Sequence, residues 1–326
     1  MSPLPGLLTS PPPSVGVEIA SDRVTAVSLA RQAASWIVGA HGSERLAPGV
    51  VTPALNAINV HDTEAVAAAL RSAFEKLGTR PRRIALVIPD TAAKVSLLRF
   101  DKIPAQNDLD QLIRWQMRKA APFKPEEAQL SWVPAGTLPG GGREYLVTLA
   151  RRDIIESYMN ACAAAGADAG VVDLASLNLV NAAIAAGGDD VAPRSGGARA
   201  DWLVVHVAPD YATLAIVRNK DLIFFRTRAS AGSARPEALD GRPSIATGQL
   251  ETDADLADLV HQTAMYYEDR LEGERFARVV LSGASARGTE NGERLRRNLE
   301  ERLGVKVATL DAVAPAAGVV LRERVA

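Results

Sequence analysis

Few side chains of this chain stand in a pattern that performs chemistry. The one cysteine, Cys162, could serve as a nucleophile, but it sits in "DIIESYMNACAAAG", and the role of a small core residue in a helix is preferred. A single cysteine also precludes a disulfide framework within the chain, which suits a reducing compartment. His41, His61, His206 and His261 lack the spacing of metal ligands. Ser282 is not in a G-x-S-x-G setting, and neither a Walker A sequence nor G-x-G-x-x-G is present. What remains is a repeat. "VGVEIASDRVTAVSLAR", Val15 to Arg31, recurs with changes as "VVHVAPDYATLAIVRNK", Val204 to Lys220. Aligned, Glu18 falls on His206, Ala20 on Ala208, Asp22 on Asp210, Thr25 on Thr213 and Leu29 on Val217.

Each copy reads as strand, turn, strand, and each opens a mixed run of strands and helices. In the first run, "HDTEAVAAALRSAFEKLG" predicts a helix capped by Asp62 or Thr63 and stopped at Gly78, with an apolar stripe through Val66, Leu70 and Phe74. "RRIALVIPD" predicts a buried strand. The texture changes near Thr91. A strand, the helix "NDLDQLIRWQMRKAAPF" and the strands "AQLSWVPAG" and "REYLVTLAR" follow. "RDIIESYMNACAAAG", strand "AGVVDL" and helix "ASLNLVNAAIAAG" complete the first half. "GGDDVAPRSGGARA" has no periodicity and reads as a link. In the second half the repeated hairpin leads to "LIFFRTRA", a polar stretch, "DLADLVHQTAMYYEDRLEG", "RVVLSGA", "ENGERLRRNLEERLG" and "VKVATLD".

A chain of 326 residues is long enough for about two domains. Hydrophobic residues make up 47%, enough for a sizeable core, and much of this is alanine, which predicts close helix packing. The net charge of −1 offers no field to hold a polyanion, so nucleic acid is not an expected partner. The start, "MSPLPGLLTSPPPS", is not a secretory signal, and no stretch has the apolar length of a membrane span. A cytoplasmic protein is expected, reaching a membrane only through a partner.

Three longer segments extend the pattern. "LIRWQMRKAAPFKPEEAQLSWV" has a Trp-bearing helix, a Pro-Phe pair, a Glu pair and a strand. "YLVTLARRDIIESYMNACAAAGADAGVVDLASLNLVNA" runs strand, helix, Ala-Gly turn, strand ending in Asp, helix. "LADLVHQTAMYYEDRL" precedes the Ser-Gly strand "RVVLSGA". Together with the hairpins these resemble the PilM-like proteins of type IV pilus assembly, relatives of FtsA in the actin-like superfamily. The resemblance runs from Val15 to about Asp311. It implies an α/β, actin-like (ribonuclease H-like) fold of two lobes, with an FtsA-type α+β subdomain inserted in the first. The expected divisions are a tail at 1–13, a first lobe from 14–91 plus 152–187, the insert at 92–151, a linker at 188–200 and a second lobe at 201–326 with a reduced polar segment at 232–253.

The resemblance also implies ATP between the lobes. In active members each hairpin carries an Asp and, two residues on, a Gly. The turn offers backbone N–H groups to phosphate and the acid helps hold Mg²⁺. Here the first copy has Glu18 and Ala20, then Ser21 and Asp22. The second has His206, Ala208, Pro209 and Asp210. Nitrogen suits Mg²⁺ poorly, each alanine adds a methyl where phosphate should approach, and Pro209 lacks an N–H. The glycine-rich adenosine loop is reduced to "LSGASARG", keeping Gly283. For Ser21, Asp22, Asp210 and Thr213, turn and strand chemistry ranks above phosphate binding.

The expected function is therefore that of a non-enzymatic adaptor in a type IV pilus, or related secretion-type, assembly platform. No cofactor or metal is favoured; weak binding of Mg-ATP without useful hydrolysis is the other reading of these motifs. The resemblance implies the cytoplasmic tail of a PilN-like inner-membrane protein as partner, in a groove beside the insert. Trp115, Gln116, Pro122 and Phe123 are the candidate contacts, although packing within the subdomain is the preferred role for Trp115 and Phe123. Other platform proteins and self-association are further expected contacts. The alternative is a working actin-like ATPase with atypical Mg-ATP ligands, and after it a small-molecule kinase of the same superfold.

Overall fold

The computed structural model describes residues 13–32, 35–103, 106–138, 140–187, 201–230, 253–283 and 289–325. The expected tail before residue 13, the linker 188–200, nearly all of the polar segment 232–253 and the loop after Gly283 lie outside the described residues.

The first sheet is built from β1 (Val15–Ile19), β2 (Arg23–Gln32) and β3 (Ser35–Arg45), then helix α1 (Thr63–Leu77) and strand β4 (Arg83–Ile88). Asp62 caps α1 by accepting a 2.9 Å hydrogen bond from the Ala65 N–H, and Gly78 ends it at φ 69°. The insert contains β5 (Ala93–Phe100), α2 (Gln106–Arg118), β6 (Ala128–Thr137) and β7 (Arg143–Arg151). Then come α3 (Arg152–Ala164), β8 (Asp168–Leu174) and α4 (Ala175–Gly187). The second half contains β9 (Trp202–Val207), β10 (Tyr211–Arg218), β11 (Asp221–Ala229), α5 (Asp253–Arg270), β12 (Arg278–Ser282), α6 (Thr289–Leu303), β13 (Val307–Leu310) and α7 (Ala314–Val325).

The repeat extends to the whole sheet. The first sheet has the order β3-β2-β1-β4-β8, the second β11-β10-β9-β12-β13. In each, the hairpin strands are antiparallel and the last two are parallel to the first. The register matches as well: Glu18 lies opposite Thr25, and His206 opposite Thr213. The insert is a separate antiparallel sheet, β5-β7-β6. Leu109, Ile113 and Met117 of α2 cover one of its faces, packing on Tyr145, Val147 and Leu149. Alternation along β7 turns Leu146, Thr148 and Ala150 to the other face.

Both sheets are covered on both faces, and two of the covering helices change sides. α1 and α3 pack on one face of the first sheet, and α5 and α6 on one face of the second. The middle layer is α4 with α7. Leu179, Val180 and Ala182 of α4 meet Val204, Ala215, Val217 and Val280 of the second sheet. Ala316, Val319 and Val320 of α7 meet Val27, Ala85 and Val87 of the first. The stretches 152–187 and 201–326, assigned from sequence to the first and second lobes, each end in a helix that also packs on the other lobe's sheet. α7 itself was not anticipated.

Small residues make this exchange fit. A Cβ at Gly16 would lie 1.9 Å from the Ala316 carbonyl oxygen, and one at Gly318 would lie 1.8 Å from that of Asn178. Ala175, Ala182 and Ala183 of α4 and Ala314, Ala316 and Ala317 of α7 are buried in this layer, as backbones can approach only where side chains are short.

Candidate functional site between the lobes and beside the insert

The two repeated turns meet between the lobes. Glu18 lies near the end of β1 and His206 near the end of β9, both buried. In each turn the alanine N–H bonds back across the hairpin: Ala20 N donates to Arg23 O at 2.9 Å, and Ala208 N to Tyr211 O at 2.8 Å. Ser21 Oγ donates to Asp210 Oδ1 across the lobe boundary at 3.0 Å. Asp90, just after β4, makes a second tie. It accepts from Ser176 N at 3.0 Å, from Ser176 Oγ, and from Thr213 Oγ1 at 2.7 Å. Thr213 thus belongs to the junction as well as to its strand. The tilted edge of Tyr211 packs on His206 with ring centroids 5.7 Å apart.

Burial dominates the electrostatics. It pushes Glu18 up to about 7, against the pull of the Arg23 guanidinium and with added repulsion from Asp90 and Asp22. It raises Asp210 to about 6, although the Ser21 hydrogen bond works the other way. His206 is pushed down to about 4 by burial, and Arg23 adds to this, so the ring is neutral at pH 7. Asp90 is also raised by burial, opposed by its bonds from Ser176 and Thr213. Buried atoms without a hydrogen-bond partner among the described residues gather here: Glu18 Oε2, Asp22 Oδ1, Arg23 Nε, His206 Nδ1, Asp210 Oδ2 and Ser282 Oγ. Such a junction can hold protons near neutrality and join the lobes.

Gly283 follows β12 at φ 78°, and a Cβ there would lie 2.2 Å from the Val207 carbonyl oxygen. Its position requires glycine for backbone packing at the end of β9.

A second place is an apolar groove of about 910 Å³. It lies against the β7 face that α2 does not cover. Ile155 and Met159 of α3, Leu177 and Val180 of α4, and Trp132 and Val133 of β6 are among its walls. Val133 is 51% exposed and Met159 36%, unusual exposure for large apolar side chains at a concave site. Arg152 and Glu156 put charge on its rim. Residues 131–135 all line it, and β6 is an outer strand of its sheet.

A family model, Type IV pilus assembly protein PilM, matches residues 16–243. The chain belongs to the PilM family. The match takes in the first lobe, the insert and the second hairpin; α5, β12, α6, β13 and α7 lie beyond it and complete the second sheet. The solved structure titled "PilM-PilN type IV pilus biogenesis complex" has a TM-score of 0.74 and 18% identity, covering 95% of this chain and 98% of that one. That likeness shows a shared fold. A Bacteroides thetaiotaomicron protein with an actin-like ATPase fold gives a TM-score of 0.49 at 9% identity, covering 98% of this chain and 99% of that one, and is too distant to carry an argument. No curated protein matches the chain. The PilM-family fold of this chain is the two-lobed actin-like arrangement, each lobe with the same strand order.

Within this PilM-family fold the residues singled out from sequence fall into two groups. Glu18, Ala20, Ser21, Asp22, His206, Ala208 and Asp210 belong to the two turns and the strand ends that lead into them, with Gly283 packed against β9. Trp115, Gln116, Pro122 and Phe123 do not line the groove; they lie on α2 and just after it, and α2 covers the opposite face of the insert. Phe123 packs into the subdomain cluster, its preferred role. Trp115 does not: it is 56% exposed, with the Lys119 ammonium 4.9 Å from its ring centroid. Packing is thus the wrong role for it, because Leu109, Ile113 and Met117 already fill the inward stripe.

Asp90, Arg23 and Met159 escaped the sequence reading. Asp90 had a signal, a lone acid at the carboxyl end of an apolar parallel strand, where α/β folds place their polar groups. Met159 had one as well, since it falls off the inward stripe of Ile154, Tyr158, Ala161 and Cys162.

Proposed function

We propose that this PilM-family protein is a cytoplasmic, non-enzymatic adaptor of a type IV pilus or related inner-membrane platform, and that it takes the cytoplasmic tail of a PilN-like membrane protein in the groove beside the insert. The observation that carries the reading is the fold shared over nearly its whole length with a chain of a PilM–PilN complex. The groove supports it: an apolar floor with charge at its rim beside an outer strand suits an extended segment, which can gain both pockets and backbone hydrogen bonds. Among the described residues no helix is long and apolar enough to cross a membrane, and in this reading the partner supplies the membrane contact.

The same reading gives the lobe junction a structural role in place of Mg-ATP. The Ala20 and Ala208 N–H groups are used within their turns, and Pro209 has none. Glu18, Asp22, Asp90 and Asp210 would set carboxyl groups against a polyphosphate, with Arg23 as the near cation. Such a donor set fits the nucleotide badly.

The test is fluorescence titration of the full chain with a labelled peptide of the PilN-like cytoplasmic tail from the same organism. Met159→Glu puts a charge on the groove floor at a half-exposed position and should weaken binding at least tenfold while the protein stays folded by circular dichroism. Unchanged affinity would remove the groove from the reading.

A further inference from the structure

We infer that the segment in the groove is clasped by both lobes, so that filling the groove holds the β10–β11 turn of the second lobe against the inserted sheet and the first lobe. The inference rests on the groove being the partner site proposed above. It adds a wall that belongs to neither the insert nor the first lobe: Lys220, Asp221 and Leu222 line the groove together with α3, α4 and β6.

This wall is tied firmly to the second lobe. Arg218 pairs with Asp221 and Val217 with Leu222 across a tight turn whose two central residues, Asn219 and Lys220, have φ of 50° and 76°. That left-handed pair matches the turn that best fits strand twist, so the tip is set by its strands. Arg218 is held in turn. Its Nε donates to buried Asp201 at 2.8 Å, its Nη2 donates to Leu271 O at 3.0 Å, and Tyr267 donates to the same Asp201 carboxylate oxygen at 2.8 Å. The turn therefore moves only as the second lobe moves.

The opposite walls belong to the first lobe and the insert. A segment that touches Met159 and Ile155 on one side and the Lys220–Leu222 tip on the other makes its full contacts only when the lobes stand as they do here. Binding and lobe position are then linked, each favouring the other by the same free energy. Charge favours a tail over a second copy of this chain. Glu156, Asp173 and Asp221 line the groove against Arg152 and Lys220, and partial burial with nearby Glu144 raises Asp221; the lining thus carries a small excess of acid, and cytoplasmic segments next to a membrane span are rich in Lys and Arg.

The experiment is hydrogen exchange of the full chain, read by mass spectrometry, with and without a saturating amount of the labelled tail peptide. Slowed exchange is expected both in 128–135 of the insert and in 218–222 of the second lobe. Protection confined to the insert and first lobe, with binding intact, overturns the clasp and leaves the groove reading standing. Protection in neither place overturns both. As a second measurement, Asp221→Ala, an exposed change at the tip, should weaken the peptide at least threefold with the melting temperature kept. Unchanged affinity counts against the clasp.

Discussion

Ser21 in the first lobe donates a hydrogen bond to Asp210 in the second at 3.0 Å, across 189 positions of the chain. The two residues occupy the same kind of turn in the two halves of the repeat, so the junction joins the two copies at nearly corresponding points. Asp210 Oδ2 has no partner among the described residues, so the Ser21 hydroxyl is the side-chain donor that this carboxyl has there. Ser21→Ala should cost about 1 to 2 kcal/mol in urea unfolding. It should also raise the Asp210 titration above about 6, since the hydrogen bond is what opposes burial there. An NMR titration that leaves Asp210 where it was would contradict this account.

Stability should fall as pH rises through neutrality. Burial holds Glu18 at about 7 against an ordinary value of 4.5, so the folded state binds this proton more tightly than the unfolded one. The stabilisation is full below about 4.5 and lost as pH passes through about 7. His206, pushed down to about 4, acts the other way at lower pH, favouring the folded state above 6.5 and losing that as pH falls. Between about pH 6 and pH 8 the wild type should therefore lose on the order of 1 kcal/mol relative to Glu18→Gln. Parallel curves for the two proteins would show that Glu18 is ionised in the fold.

Gly318→Ala should destabilise by about 1 to 3 kcal/mol, because the new methyl meets the Asn178 carbonyl between α7 and α4, where neither backbone can retreat. A melting temperature equal to that of the wild type would mean that the helices are less closely packed.

Millimolar Mg-ATP should leave the melting temperature unchanged. A nucleotide at ~100 times its Kd would stabilise by about 2.7 kcal/mol, so a saturable upward shift is the result that favours the working ATPase.

Trp115→Ala should leave tail-peptide affinity within about twofold and stability within about 0.5 kcal/mol, since the ring is exposed on the far face of the insert. A large loss of binding would return the partner site to α2, where the sequence first suggested it.

The lobes were legible because their signals are local. Period-two strands, the Asp62 cap and the Gly78 stop each lie within a few residues, and the duplicated hairpin implied the duplicated order of strands. α7 was not legible for a physical reason. "APAAGVVLRERV" is packed by α4 on one side and the first sheet on the other, so its small residues show little contrast between faces. The groove has no signal of its own: its walls come from α3, α4, β6 and a turn in the other lobe. Trp115 drew attention through size and neighbours, yet size says nothing of which face of a helix is free. At the junction, the turns could be named from sequence, but the raised titrations of Glu18 and Asp210 come from burial, which exists only once the two halves pack together.

The exchanged helices also set an order in time. A ribosome releases the first sheet long before residues 314–325 exist, and until then the face formed by Val27, Ala85 and Val87 has no α7 to cover it. Folding from the amino end can bring the strands together, but it cannot seal that surface. From the time β8 has joined the sheet until residues 314–325 are made, the nascent chain must carry an apolar face without its α7 cover, prone to sticking or to capture by a chaperone.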